Sequence, residues 1–440
     1  MSVMIEKTIE RADAALRFHT VKTDKFKMSR LSFNFILPAD EHRSPVTRLM
    51  LATLMRGCEK YPTVVAINKR LDEFYGATVT WRVTTVGERH VFRISSEILS
   101  ERFRFSGDND SIVKGVCEII MEILFAPLKG RDGLLDEGNF ESEKKLAIDA
   151  VRAKINDQKA YAADKCKNLM FKGEKSGVSA EGSIEKIESI TLADVTENID
   201  YFLKNSVLEC YYVGSDDVEE TVELVSSKFA ALGREKIQLP GEEKALTREA
   251  GAEIRTLEET MNVAQSRLNI GLTGAGIMSD KEYYAACLFN EIFGGSSVSK
   301  LFVNVREKQS LCYYCHSAYS SATGTIMIGC GIKGENREKA YIEIENQLRQ
   351  MQMGNFEDSE MLSAKRTMIS GVLQLSDNPS AIEAFKFRRF LANVCEDADE
   401  AIEKINAVTR EEIITVAQKV RFDSVYFLCG AGEEEEEYDE

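Results

Sequence analysis

The chain has 440 residues, 44% hydrophobic and 8% aromatic, with 56 basic against 72 acidic side chains and a net charge of −16. That length exceeds a single hydrophobic core and implies two to four domains, and the acidic balance excludes nucleic acid and anionic membrane as partners. No run approaches the ~18 uninterrupted apolar residues of a spanning helix, and the charged opening MSVMIEKTIERADAALRF lacks the apolar stretch of a secretory signal.

In chain order, SRLSFNFILP (29–38) alternates as a strand does. SPVTRLMLATLMRG (44–57) reads as a helix, with Ser44 as N-cap, Pro45 in the first position and Gly57 at the end. A second helix is expected over 63–76, then strands over 77–86 and 89–98 about a turn at Gly87. The order β-α-α-β-β makes the fold class α+β. It then recurs, with a strand in 265–276, a helix in 282–295 and a helix running into a strand over 300–319. Ser266 follows Ser29 by 237 positions and Gly294 follows Gly57 by the same 237, a constant offset of the kind internal duplication leaves. Helical stretches at 143–171 and 360–391 close the two repeats. The expected organisation is an N-terminal half over 1–232, a charged linker over 233–256, a C-terminal half over 257–432 and an acidic tail, EEEEEYDE, over 433–440.

Ten cysteines without regular spacing fit a reducing, cytoplasmic setting in which thiols are small buried hydrophobes. One stretch, VREKQSLCYYCH (305–316), supports two incompatible readings. Cys312-Tyr-Tyr-Cys315-His316 matches the CxxCH pattern of haem attachment, which a reducing compartment and the lack of an export signal disfavour. No second CxxC or nearby HxxxH makes it a zinc site. The same stretch holds Arg306 and Tyr313, seven residues apart. By spacing alone these are a surface arginine and a core tyrosine. Elsewhere, PADEH (38–42) precedes the helix start and reads as a loop, GLTGAGIMS (271–279) as a turn, and His19, His90 and His316 as isolated side chains.

Three longer words carry a resemblance: GCEKYPTVVAINKRLDEFYGA, EGSIEKIESITLADVTENI and GGSSVSKLFVNVREKQSLCYY. With the order of elements over roughly residues 25 to 430, they resemble the insulinase or pitrilysin family of metallopeptidases. The resemblance implies two homologous halves, each a mostly antiparallel sheet layered with helices, joined by the linker into a clamshell. Active members carry HxxEH on the first helix, two zinc-binding His at i and i+4 with a general-base Glu between them. Counted back from Gly57, Arg48 and Ala52 stand where the two His belong and Leu51 where the Glu belongs. A third ligand is due seven residues after a glutamate matched by Glu143, and that position is Ala150. No metal and no other cofactor is therefore expected in this chain.

The C-terminal half departs less. The family places an Arg and a Tyr seven residues apart there to serve the zinc site, and Arg306 and Tyr313 match them. A guanidinium can hold a substrate carbonyl, and a phenol can donate to the oxyanion of a tetrahedral intermediate. The resemblance is closest to zinc-less members of the alpha type in processing peptidases, and to a bacterial type associated with modification of elongation factor P. It implies a non-zinc-binding subunit of a heterodimeric peptidase, with zinc in the HxxEH-bearing partner and a peptide or small protein as substrate. The alternative is an inert peptide-binding or scaffold protein on the same fold.

Overall fold

The computed structural model describes residues 5–107, 110–235, 237–238, 253–276 and 282–430. Most of the charged segment expected as linker at 233–256, and all of the acidic tail at 433–440, lie outside the described residues. The chain forms two compact units. The first comprises Met1–Arg152, Val178–Glu242 and Leu375–Arg388, and the second Ala153–Gly177, Glu243–Gln374 and Arg389–Glu440. Each half of the sequence thus shares its unit with a segment drawn from the other half.

The first unit holds β1 (Ile5–Arg11), β2 (Leu16–Lys22), β3 (Met28–Pro38), β4 (Thr78–Val86), β5 (Arg89–Leu99) and β6 (Val207–Gly214), in the order β1-β2-β6-β3-β5-β4. Only β2 and β6 run parallel. The second unit holds β7 (Arg255–Met261), β8 (Ser266–Thr273), β9 (Cys312–Ser320), β10 (Thr325–Ile332) and β11 (Arg421–Gly430), in the order β7-β11-β8-β10-β9. Here too one pair, β7 and β11, is parallel and the rest antiparallel. The two orders coincide once β1 is set aside, so the 237-residue offset is a repeat of topology as well as of letters. Each sheet is layered with helices, as expected for this α+β class.

Strand period decides which face meets which layer. Along β3, Leu31, Phe33 and Phe35 enter the apolar core with helices α1 (Arg43–Leu54), α2 (Val64–Glu73) and α3 (Ile112–Phe125). The alternate residues Arg30, Ser32 and Asn34 are buried on the opposite face. Glu383, on the helix Pro379–Leu391, is fully buried against them. Its carboxylate accepts from Arg30 Nε, from Ser32 Oγ at 2.8 Å, and lies 3.4 Å from Arg93 Nε.

The first helix begins differently from the sequence reading. α1 starts at Arg43, one residue before the expected cap, and Asp40 supplies the cap by accepting from the N–H groups of His42 and Arg43 at 2.9 and 2.7 Å. Burial pushes the Asp40 carboxyl up, but these donors outweigh it and hold it below its ordinary value. Ser44 sits inside the helix and bonds His90 Nδ1 at 2.7 Å, tying the helix to β5. Thr63 does cap α2, accepting from Ala66 at 3.1 Å. Gly57 is not a helix terminator: a Cβ there would lie 2.6 Å from the Pro62 carbonyl oxygen. Its repeat partner Gly294 is equally crowded, 2.5 Å from Ser317 Oγ. Close approach, rather than a left-handed backbone, requires glycine at both.

A third crowded glycine yields a stability test. Gly115 lies in α3, where alanine ordinarily adds about 0.5–1 kcal/mol. A Cβ there would fall 2.1 Å from Cζ of Phe74, a buried ring. Gly115→Ala is therefore expected to destabilise the first unit by about 1–3 kcal/mol, with Phe74→Leu in the same chain recovering most of it. The only tryptophan, Trp81, lies on β4 of this unit, so denaturation followed by its fluorescence reads the change. An unchanged midpoint in Gly115→Ala would contradict it.

Candidate functional site

The positions that the resemblance matches to zinc ligands fall on α1 and on α4 (Glu137–Ala153). Arg48 is half-buried, while Leu51 and Ala52 are 0% and 6% exposed, with Leu51 in the apolar core. Ala150 is exposed on α4. Glu143, two turns earlier on the same face of α4, is not free to act: Arg56, in the turn after α1, donates to its carboxylate, whose side chain is 14% exposed. A guanidinium, an isobutyl group and two methyl groups provide no donor atom for zinc, and the one carboxylate nearby is already an ion pair. These residues do not fit the metal. Among the described residues no group of three or more His, Cys, Asp or Glu is placed to hold one. The purified chain, exposed to zinc and washed, is expected to retain well below one equivalent by metal analysis. Stoichiometric zinc removable only by a chelator would overturn that.

The histidines have structural partners. His90 is fully buried between Ser44 Oγ and the Val178 carbonyl, 3.1 Å from Nε2. His19 joins Thr8 Oγ1 to Glu209 and stacks on Tyr211 at 4.5 Å. His316 lies on β9, where burial, and then the charge of Lys159, pushes its pKa down. The PADEH stretch is the end of β3 and the turn that caps α1, as expected of a loop.

Arg306 and Tyr313 lie in one continuous passage of the second unit. Arg306 is near the end of a π-helical segment, Leu301–Lys308, and Tyr313 is the second residue of β9, an edge strand. Between them Ser310 takes a positive φ of 52°, and its N–H donates to the Arg306 carbonyl at 3.0 Å. Leu311 N–H donates to the Val305 carbonyl at 3.1 Å. The wide helix and the left-handed turn thus fix how the helix end delivers the chain to the strand. π-helical turns recur at functional sites.

The register of β9 then explains why Tyr313 faces outward. Tyr314 opposes Gly331, but Ile332 opposes Cys312, so Tyr313 is the extra residue of a β-bulge. Strict alternation from the buried Cys315 and Ser317 would turn Tyr313 inward. The bulge reverses this, and Tyr313 is 56% exposed, one of the most exposed large apolar side chains of the chain. The core placement that spacing alone favoured for this tyrosine is therefore wrong, because a bulge shifts the period by one. The Arg306 guanidinium rests 4.7 Å from the Phe302 ring centroid and 3.5 Å from the Glu307 carboxylate, with its side chain 41% exposed. Cys312 and Cys315 are strand residues flanking Tyr313.

With this geometry in view, the relatives can be compared. Residues 189–368 match the Peptidase M16 inactive domain. The chain is 29% identical over 418 residues to "Probable inactive metalloprotease YmfF" of Bacillus subtilis, a match covering 94% of this chain and 96% of that protein. It is also 26% identical over 216 residues to "Uncharacterized zinc protease YmxG" of the same organism, across 48% of this chain and 49% of that protein. Among solved structures it is similar to a conserved protein from Enterococcus faecalis V583, with TM-score 0.87 and 25% identity over 98% of this chain and 100% of the other. A peptidase M16 inactive domain from Pseudomonas fluorescens has the same fold, with TM-score 0.75 and 17% identity over 97% and 98% of the two chains. Residues 189–368 thus match a domain of the M16, or insulinase/pitrilysin, peptidase family, and over nearly its whole length the chain is similar to an inactive metalloprotease homologue.

Proposed function

We propose that the chain is the non-zinc-binding subunit of a heterodimeric M16 peptidase, working in the cytoplasm on a peptide or small-protein substrate. Zinc belongs to an HxxEH-bearing partner, and this chain contributes Arg306 and Tyr313 to that partner's site. The observation that carries this reading is the bulge at Tyr313. The bulge turns a phenol out of the core beside the end of a π-helix, which suits a subunit that must present an O–H donor. The departures from the family's zinc motif lie in the other unit, at Arg48, Leu51, Ala52 and Ala150. No helix among the described residues is long and apolar enough to cross a membrane.

The chemistry asked of the pair is modest and specific. A guanidinium fork binds a substrate carbonyl and stays charged at any working pH. A phenol donates to the oxygen on which negative charge develops during attack on the peptide bond. Neither residue needs a metal on its own chain. The test is reconstitution: the isolated chain cleaves no peptide, and cleavage appears on adding a zinc-bearing homologue. A homologue equally active with and without this chain would leave the scaffold reading in first place.

A further inference from the structure

The bulge has a second effect on β9. In a regular strand Cys312 and Cys315, three residues apart, would face opposite sides. With Tyr313 as the extra residue, both thiols turn to one side of the sheet. Cys315 lies directly across from Cys330 on β10 in the antiparallel ladder. Cys312 opposes Ile332, two positions along β10 from Cys330, and packs against the core cluster that holds Cys315 and Cys330. Cys312 is partly exposed, whereas Cys315 is 2% and Cys330 0% exposed. The cluster therefore has one entrance and a buried pair behind it.

We propose that Cys312, Cys315 and Cys330 form a thiol–disulfide exchange site that takes low-molecular-weight disulfides, with Cys312 as the entry thiol and a Cys315–Cys330 cross-strand disulfide as the oxidised state. Directly opposed residues of an antiparallel pair have Cα atoms about 4.5–5.5 Å apart, inside the range a disulfide spans, while Cys312, opposite Ile332, lies two ladder positions along, about 7 Å from Cys315 and at the limit of that range. The balance is as follows. The Cys312 thiolate attacks one sulfur of RSSR, forming a mixed disulfide and releasing RS⁻, which takes up a proton. Cys330, giving up its proton, attacks the Cys312 sulfur and releases the second RS⁻. Cys315 then attacks Cys330 and returns Cys312 to the thiol. Two protein thiols are oxidised to one disulfide, and RSSR is reduced to two RSH.

The local electrostatics agree with these roles. Hydrogen bonds from Cys315 and Cys330 push the Cys312 thiol below its ordinary value, overcoming burial, and the Arg306 charge acts in the same direction. Cys315 and Cys330 are pushed up, as donors to Cys312 behind it. Burial pushes up Cys117, Cys166 and Cys210 in the same way, which makes them poor competitors. Cys395 is the exposed cysteine and serves as the internal control. The site is read from one unit and holds whether or not the chain pairs with a zinc peptidase.

Residues 309–332 contain no Lys or Arg and are bounded by Lys308 and Lys333, so a single tryptic peptide, 309–333, carries all three thiols. Incubating the intact protein with glutathione disulfide should yield that peptide two hydrogens lighter, with fragmentation placing the bond at Cys315–Cys330. In Cys312→Ser the bond should form at least about ten-fold more slowly, and in the Cys315→Ser, Cys330→Ser double variant glutathione should accumulate on Cys312. The wild type provides a measure that needs no variant: a brief iodoacetamide pulse near pH 6.5 should alkylate Cys312 about ten-fold faster than Cys395. Glutathione on Cys395 with the 309–333 peptide unchanged would overturn the proposal. Equal alkylation of the two, or a bond forming as fast in Cys312→Ser, would also overturn it.

Discussion

Replacing Tyr313 by Phe, in a complex with the zinc-bearing homologue, is expected to lower peptide cleavage by about 10²–10³, the usual effect of removing one oxyanion donor from a preorganised site. The fall should appear in kcat more than in KM, because the donor is needed where charge develops and contributes less to ground-state binding. Phe keeps the ring, so the bulge and the strand register are undisturbed. Arg306→Ala should cost a similar factor, with a larger share in KM, since a guanidinium also binds the ground-state carbonyl. Arg306→Lys should rescue poorly: a point charge cannot reproduce the fork. Glu307, 3.5 Å from Arg306, competes with a substrate carbonyl for its guanidinium, so Glu307→Gln should leave cleavage intact or raise it. Arg48→Ala and His316→Ala should change little. A complex that cleaves as fast with both Arg306 and Tyr313 replaced would end the proposal.

The largest stability effect is expected at Glu383. Its side chain is fully buried between Arg30 and Arg93, which are 9% and 8% exposed in their side chains. Glu383→Ala leaves two buried guanidinium groups with only the exposed Glu97, 3.8 Å from Arg30, as a counter-charge, and breaking a buried ionic group in this way typically costs about 3–5 kcal/mol. Burial already pushes the Arg93 pKa down, with Glu383 acting against it. Trp81 fluorescence in a denaturant titration should show the first unit losing this amount. The Arg30→Met, Arg93→Met, Glu383→Leu triple variant should recover most of it, because a well-packed apolar trio replaces a buried ionic one at little net cost. A Glu383→Ala midpoint within about 0.5 kcal/mol of the wild type would show that water reaches the guanidiniums.

The repeat and the β-α-α-β-β order were legible because each rests on local signals: apolar alternation and a constant offset. Three features were not. β1 carries Glu6, Lys7, Glu10 and Arg11 on a largely exposed edge. Charges that keep an edge from pairing with other chains also erase the period-two signal. The start of α1 was misread because Asp40 and Ser44 are both good capping residues, and only the tertiary bond to His90 decides between them. The bulge at Tyr313 has no letter of its own. Its trace was the pair of cysteines three apart in a strand, a spacing that makes sense as a cluster only if the period slips.

The buried contact between Arg30 and Glu383 spans 353 positions of sequence. At a synthesis rate of about 5–20 residues per second, Arg30 leaves the ribosome on the order of half a minute before its counter-charge exists. During that interval the first unit can condense its apolar layer, since β3, α1 and α3 are all made early, but the polar face of its sheet remains without cover. Final closure of the first unit is thus a late event set by translation. A nonsense mutation anywhere before residue 383 would deprive both units of native structure, including the one whose sheet had been translated in full.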